Sequence, residues 1–368
     1  MRVVIIGAGV GGLCLAQGLV QAGVDVRVYE RDTAVDSRYQ GFRIGIGGPG
    51  LDSLRACLAP RLHPLLDAAT GELSGARRIV DTQLEPLGEM EPLYGAMATD
   101  RRVLRYLLLG GLDDIVEFGK RLDHYTELPD GQVRADFTDG TSVTADLLVG
   151  ADGVNSAVRH QLLPHAEHAT GGFGGVLGRT TLTDTYAALV PGFGTIVRGE
   201  NVTLMLGKMR FHRPPHEAAA QLAPDVWLPP TDSYLRWAML LPPEIDRTGD
   251  DMRDVVGDLI GDWHPTLRDL VRDATAANDL GALRYAKPVP HWGTRPVTLL
   301  GDAIHVMPPS AGLGANTAFL DAATLVRELT SGDPLLAAVE RYEHTMLRHG
   351  FDAVRVSVES APRLVPAR

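Results

Sequence analysis

Residues 2–30, RVVIIGAGVGGLCLAQGLVQAGVDVRVYE, constrain the fold of this chain more than any other stretch. Positions 2–6 form a short apolar run suited to a buried parallel strand. Gly7, Gly9 and Gly12 follow in the spacing G-x-G-x-x-G. The first allows a tight turn, the second a close approach of a pyrophosphate to backbone, and the third close packing of helix on strand. Leu13, Ala16, Leu19 and Val20 recur at helical spacing, and Gly23 ends the helix. The next strand ends in Glu30, 18 residues beyond Gly12, where a carboxylate can accept the hydrogen bonds of a ribose diol. Ala8, Val10 and Gly11 complete the loop, and Arg31 adjoins the acid. The unit predicts a Rossmann-type nucleotide-binding core. It does not separate NAD from FAD, because both carry the adenosine diphosphate being read.

The chain has 368 residues, 45% of them hydrophobic and 22% charged, enough for two modest domains or one with an insertion. No run reaches the ~18 apolar residues of a membrane span. The first strand begins at Arg2, so a soluble, cytoplasmic protein without a signal peptide is expected. Cys14 and Cys57 make no metal or redox pattern and read as small buried apolar residues. The net charge of −11 is mixed along the length and argues against nucleic acid. The positive residues are 32 arginines and three lysines (Lys120, Lys208 and Lys287), which reads as the bias of a GC-rich genome.

Two further stretches have ligand-loop grammar. In ADLLVGADGVNSAVRHQLL (145–163) an apolar strand leads to Asp152-Gly153 and a helix. An ordinary Asx-capped turn has the same residues, but a strand's carboxyl end is also where α/β ligands lie. In PVTLLGD followed by AIHVMPPSAGLGANTAF (296–319), a strand ends at Gly301-Asp302. Two prolines and a glycine turn then lead to a helix expected near Ala315. Its N-terminal amides favour negative charge.

These three signatures, in this order and spacing, resemble the class A FAD-dependent aromatic hydroxylases, the single-component flavoprotein monooxygenases of the p-hydroxybenzoate hydroxylase fold. The resemblance covers residues 2–60, 97–163 and 283–330. It implies tightly bound FAD, with NADPH or NADH as a transient co-substrate and no second Rossmann domain. It places Asp152 and Gly153 on the family's Asp-Gly motif, and Gly301 and Asp302 on its Gly-Asp motif at the flavin ribityl chain. The turn Gly312, Gly314, Ala315 and Asn316 would face the flavin pyrimidine edge, with Pro308 and Pro309 lining the reaction site. TDRRVLRYLLL (99–109) resembles the family's Arg-x-x-Leu helix start, which puts Arg101 near the ribityl and phosphate groups, with Arg102 the competitor. QGFRIGIGGPGLDSLRACL matches the flavin-side segment and makes Arg43 a cofactor or pocket candidate. Leu122 would meet the adenine through backbone. The implied reaction is hydroxylation or epoxidation of an aromatic or polycyclic small molecule with O₂, through a flavin C4a-hydroperoxide. The setting suggested by composition is specialised metabolism, such as antibiotic biosynthesis. A flavin halogenase and a non-oxygenating FAD reductase or dehydrogenase remain the alternatives, as does a flavoprotein that only binds.

The expected architecture is α/β. A discontinuous FAD-binding domain comprises 1–75, 96–165 and 282–334. An inserted antiparallel substrate sheet comprises 76–95 and 166–281, and a C-terminal helical segment 335–368. The insert reads as short alternating runs between Gly and Pro turns, with Arg179, Met205, Tyr234 and Trp237 as substrate candidates. For each of these four, plain sheet packing is an equal reading. The histidines at 160, 165 and 168, and at 212 and 216, lack the geometry of a metal site. RWAMLLPPE (236–244) faintly resembles a halogenase Trp-x-Trp-x-x-Pro pattern, but Met239 replaces the second tryptophan.

Overall fold

The computed structural model describes residues 1–361 apart from positions 38, 40, 74, 92–95, 172–173, 243 and 246–250. Parts of the expected insert (92–95, 172–173, 243, 246–250), the end of the C-terminal segment (362–368) and Gln40 of the flavin-side stretch therefore lie outside the described residues.

Strands Val297–Leu299, Leu147–Gly150, Arg2–Ile6, Asp25–Glu30 and Val116–Phe118 lie in that spatial order and are all parallel. Their apolar runs are covered on both faces, and Val3, Val4, Ile5, Leu147, Leu148, Val149, Val297 and Leu299 are wholly buried. Helices Val10–Gln21 and Gly314–Leu329 pack together on this sheet. A Cβ at Gly18 would lie 2.7 Å from Val326 and 3.1 Å from Cys57 Sγ, so the glycine sets how closely the helices approach. Cys14 and Cys57 are free and buried. Because the strands are parallel, their carboxyl ends share one edge. That edge gathers the Gly7–Gly12 loop, Glu30, the Asp152 turn and the Asp302 turn.

Seven strands form a second large sheet. In order they are Ala274–Asp279, Gly174–Thr181, Tyr234–Leu241, Thr203–Met209, Gly194–Arg198, Arg77–Asp81 and Pro86–Met90. It is antiparallel except where Gly194–Arg198 runs parallel to Arg77–Asp81. Successive side chains alternate between faces. Val176, Leu204, Leu206, Leu235, Trp237 and Met239 point outward into a core closed by helices Met252–Leu259 and Pro265–Arg272. Tyr234 and Met209 point inward and join the core of the nucleotide-binding sheet.

Between the two lies a small antiparallel sheet of Gly71–Leu73, Ala96–Asp100 and Arg43–Gly47. The final helix, Leu335–Ser360, is tied to the parallel sheet by Tyr342, whose hydroxyl donates to Leu299 O at 2.7 Å. Among the described residues, no helix is long and apolar enough to cross a membrane.

Candidate flavin and substrate site

The first loop has the shape its glycines predict. Gly7 has φ +110°, and a Cβ there would collide with Ala151 O; a Cβ on Gly12 would collide with Gly7 O. Gly9 is the opposite case. It is extended, stands just before helix Val10–Gln21, and has nothing within 4 Å of where a Cβ would sit. The loop is thus closed where protein packs and open where the helix presents its free amides, a ready place for phosphate. Gly11 approaches Leu300 and Ala318, which joins this loop to the Asp302 segment.

Glu30 is 4% exposed and already organises the loop. Its Oε2 accepts from Ala8 N at 2.8 Å and its Oε1 from Asp32 N at 3.0 Å. An ionised carboxylate has about four acceptor sites, so capacity for a ribose remains. Arg105 closes the arrangement. Its Nε donates to Ala8 O at 2.7 Å, Nη1 to Val35 O at 2.8 Å and Nη2 to Glu30 Oε2 at 3.3 Å. The sequence carries one signal for this residue: it stands four positions beyond Arg101, on the same face of helix Arg101–Leu109. Arg102 is held by Asp36 through two bonds of 2.7 Å. Arg101, whose amide donates to Phe42 O at 2.9 Å, is the member of the pair not bound to Asp36. Arg31 is exposed beside Glu30. Leu122 is buried at the start of its strand, two residues past Lys120, whose amide donates to Glu30 O.

At the Asp152 turn both sequence readings meet in one residue. Oδ2 accepts from Ala157 N at 2.7 Å, as a capping residue does, while Oδ1 is buried without a donor among the described residues. Burial raises the pKa of this carboxyl. Gly153 has φ +78° and open space at its Cβ position. Arg159 Nη1 donates to Val154 O and Ala303 O, which fixes this turn against the Asp302 turn.

Gly301 adopts φ +64° and donates its amide to Asp321 Oδ2 at 2.9 Å. The same oxygen lies 2.6 Å from His305 Nε2, and Oδ1 lies 2.5 Å from His349 Nε2. Burial opposes the Asp321 charge, yet the two histidines hold its pKa at about 2. Burial likewise opposes a proton on His305, and Asp321 outweighs it, so His305 is raised. This buried cluster sets the backbone from which Asp302 projects. The Asp302 carboxylate is half-buried and has no hydrogen bond or ion pair among the described residues. Pro308 is buried, and Pro309 is exposed at the head of a short 3₁₀ turn. Gly312 has φ +68°, and helix Gly314–Leu329 begins one residue before Ala315. Asn316 directs its side chain at protein rather than outward: Nδ2 donates to Gly45 O and Gly312 O, and Oδ1 accepts from Gly47 N, each at 3.0 Å. Any ligand contact from Asn316 is left to its backbone.

Of the four substrate candidates, three point inward from the seven-stranded sheet. Arg179 stacks over Phe42 and Tyr234 at 5.3 and 5.7 Å. Tyr234 donates its hydroxyl to Asp100 Oδ2 at 2.7 Å. Met205 is half-buried beside Ile196 and Leu240. Trp237 does not belong with them. The two-residue period turns its ring into the outer core, where it is fully buried and donates Nε1 to Thr180 Oγ1 at 3.2 Å. Its neighbour Arg236 takes the inward place. Arg43 reaches the same face from its own strand, and burial, with Arg236 and Arg77 nearby, pushes its pKa down to about 9.

A Rossmann sheet, a second strand-to-helix loop on the same edge and a second large sheet packed against that core through Tyr234 and Met209 make the architecture of an FAD-binding oxidoreductase. The open Gly9 amides, the unpartnered Asp302 and the orphaned Asp152 Oδ1 fit such a cofactor. Residues 284–355 match the FAD binding domain family, and residues 5–51 the NAD(P)-binding Rossmann-like domain family. The 3-amino-4-hydroxybenzoate 2-monooxygenase of Streptomyces cremeus is 32% identical, over 94% of this chain and 83% of that protein. A solved structure from Photorhabdus luminescens, assigned as an FAD containing monooxygenase, has 30% identity and a TM-score of 0.85, covering 99% of this chain and 98% of the other. The dual O-methyltransferase/FAD-dependent monooxygenase CTB3 of Cercospora beticola is 31% identical over 94% of this chain but 44% of its own length. The chain thus spans less than half of the first curated relatives it matches. It belongs to the FAD-dependent aromatic hydroxylases, the class A flavoprotein monooxygenases.

Proposed function

We propose that the chain is an FAD-dependent monooxygenase that uses NADH or NADPH and O₂ to hydroxylate or epoxidise an aromatic or polycyclic small molecule. The observation that carries this reading is the shared edge, where both ligand loops end. Bound FAD supplies the hydride acceptance and oxygen activation. The chain's own residues bind and orient. The amides after Gly9 hold the pyrophosphate, Glu30 with Ala8 the ribose, and Arg101 and Asp302 the ribityl chain. The Gly312–Asn316 turn offers backbone amides to the flavin ring, where they stabilise negative charge. The inner sheet face excludes water and seats the substrate. The activity named for the Streptomyces relative, on an aminohydroxybenzoate, supports an aromatic substrate.

A lysine between flavin and substrate, as a halogenase needs, has no candidate here. Lys120 pairs with Asp139 and Lys287 with Glu167, and Lys208 lies opposite Leu235 on the outer sheet face. The activity is tested by oxygen consumption of the FAD-loaded protein with a reduced nicotinamide and an aromatic substrate.

Asp302→Ala is expected to raise the Kd for FAD by about 10-fold or more, the worth of one charge-assisted hydrogen bond. The melting temperature of the apoprotein should change little, since among the described residues the side chain makes no hydrogen bond or ion pair. Flavin titration of both proteins checks this, and unchanged affinity would remove the role.

A further inference from the structure

The strand that leads to Asp302 is held from outside the sheet by the final helix. Strand Val297–Leu299 lies at the edge of the parallel sheet and pairs with Leu147–Gly150 on one side, so one row of its backbone groups has no strand partner. Two adjacent residues of helix Leu335–Ser360, Tyr342 and Glu343, are wholly buried and both reach this strand. The Tyr342 hydroxyl donates to Leu299 O at 2.7 Å. Glu343 faces Thr298, the middle residue of the strand. Its Oε2 lies 2.8 Å from Nε2 of His291, on the stretch that leads into the strand. The Gly293 amide donates to His291 Nδ1 at 3.3 Å, which puts the proton of the neutral ring on Nε2. His291 therefore donates to Oε2, and an acid proton on Glu343 belongs on Oε1.

Oε1 is buried without a hydrogen-bond partner among the described residues, and so are the two groups beside it, Thr298 Oγ1 and Trp292 Nε1. The threonine hydroxyl can accept a proton held on Oε1, whereas the indole N–H only donates. No lysine or arginine pairs with the carboxyl among the described residues; its partner is His291. The titratable groups around it are His291 from the approach to the strand, Glu340, Tyr342 and His344 on its own helix, and Asp321 beyond Tyr342. Burial pushes the Glu343 pKa up to about 8; Thr298 and Trp292 work against the rise, and Glu340 adds to it. Burial and His344, whose ring stacks on His291 at 4.4 Å, lower the His291 pKa, so His291 brings no positive charge at neutral pH. An ionised Glu343 would be a carboxylate without a cation between helix and strand, a state that burial disfavours.

We infer that Tyr342 and Glu343 are positioning residues that clamp strand Val297–Leu299 to the final helix, and that the proton on Glu343 keeps the clamp closed, so that retention of FAD through Asp302 weakens as Glu343 ionises. The inference rests on the reading of Asp302 as a flavin ligand. Asp302 stands three residues beyond Leu299, so a strand released from the helix displaces the carboxylate that meets the cofactor. The site would thus lose its cofactor in alkaline solution through a group that never touches it.

The test titrates FAD into the full-length wild type and Glu343→Gln from pH 6 to 9, with urea midpoints of both apoproteins over the same range. Glutamine keeps the shape of the protonated acid and cannot ionise; Glu343→Leu replaces it should the glutamine variant not fold. The Kd of the wild type divided by that of the variant should rise about 10-fold between pH 7 and 9, the limit for one proton that leaves near pH 8. The folded wild type keeps that proton up to about pH 8, while the unfolded chain loses it near the ordinary 4.5. Wild-type stability should therefore fall relative to Glu343→Gln as pH rises to 8, and the gap should be level above it. A role confined to packing would open the stability gap and leave the Kd ratio constant, which overturns the inference. Tyr342→Phe loses the bond to Leu299 O and should raise the Kd at pH 7 by about 3-fold or more; an unchanged Kd there overturns the clamp as well. Asp302→Ala, titrated beside them, separates two failures. If it binds FAD as tightly as the wild type, the reading of the flavin site fails and the inference with it. If it binds more weakly while wild type and Glu343→Gln share one pH profile, the clamp alone fails.

Discussion

Gly12→Val will yield a protein without flavin, and in poor yield. A Cβ at Gly12 meets the carbonyl oxygen of Gly7 and lies 3.2 Å from the Ala151 Cβ. The first of these is backbone, which has no rotamer to change. Helix Val10–Gln21 must then move off the strand that the loop leaves, at a cost of about 3 kcal/mol or more. Gly9→Ala is the informative partner. Its Cβ enters open space, so the apoprotein should melt as the wild type does while FAD affinity falls by about 10-fold or more, because the methyl group would stand where the proposed pyrophosphate site lies. Melting curves of both apoproteins, with a flavin titration, separate the two glycines. Equal damage to stability from both would contradict the division of labour within the loop.

Asp321→Ala should be the most damaging substitution outside the glycines. It strips a wholly buried acceptor from the Gly301 amide, from His305 and from His349. Breaking a buried pair by removing one partner costs about 3–5 kcal/mol. FAD should be lost as well, because Asp302 stands on the turn that Asp321 fixes. The pH dependence has a definite sign. His305 has a raised pKa in the folded protein, so its contribution is full below the ordinary value of about 6.5 and is lost as pH rises through the raised one. Asp321 is held at about 2, so its contribution is present above the ordinary carboxylate value and is lost as pH falls towards 2. The stability difference between wild type and Asp321→Asn, taken from urea midpoints, should therefore be widest in mildly acid solution and narrow above neutrality. A difference constant from pH 5 to 9 would show that His305 is not charged in the folded state.

These two sites differ in how far the sequence reveals them. Glycine spacing, strand ends and the Gly-Asp stretch are local patterns, and each carries its own geometry, so the Rossmann unit and both loops are legible from residues alone. Asp321, His349 and Arg105 act across 16 to 97 residues of chain, and no short motif announces such pairings. The sheet is obscure for a different reason. In YLRWAMLL residues on both faces are buried, so the two-residue alternation that would separate Arg236 from Trp237 is hidden in an apolar run. Trp237 draws attention as an aromatic residue, but it is Arg236 that faces inward. Asn316 is a milder instance: its position at the helix start is legible, and the engagement of its amide with Gly45 and Gly47 is not.

Oxygen consumption by the FAD-loaded protein, measured with NADH and with NADPH in the presence and absence of aromatic and polycyclic compounds, tests the proposed activity most directly. The expected result is slow uptake without substrate, a clear acceleration by at least one compound, and a product carrying one oxygen atom from isotopically heavy O₂. Reduction of the flavin with no oxygen transferred to any product, across the same compounds, would contradict it.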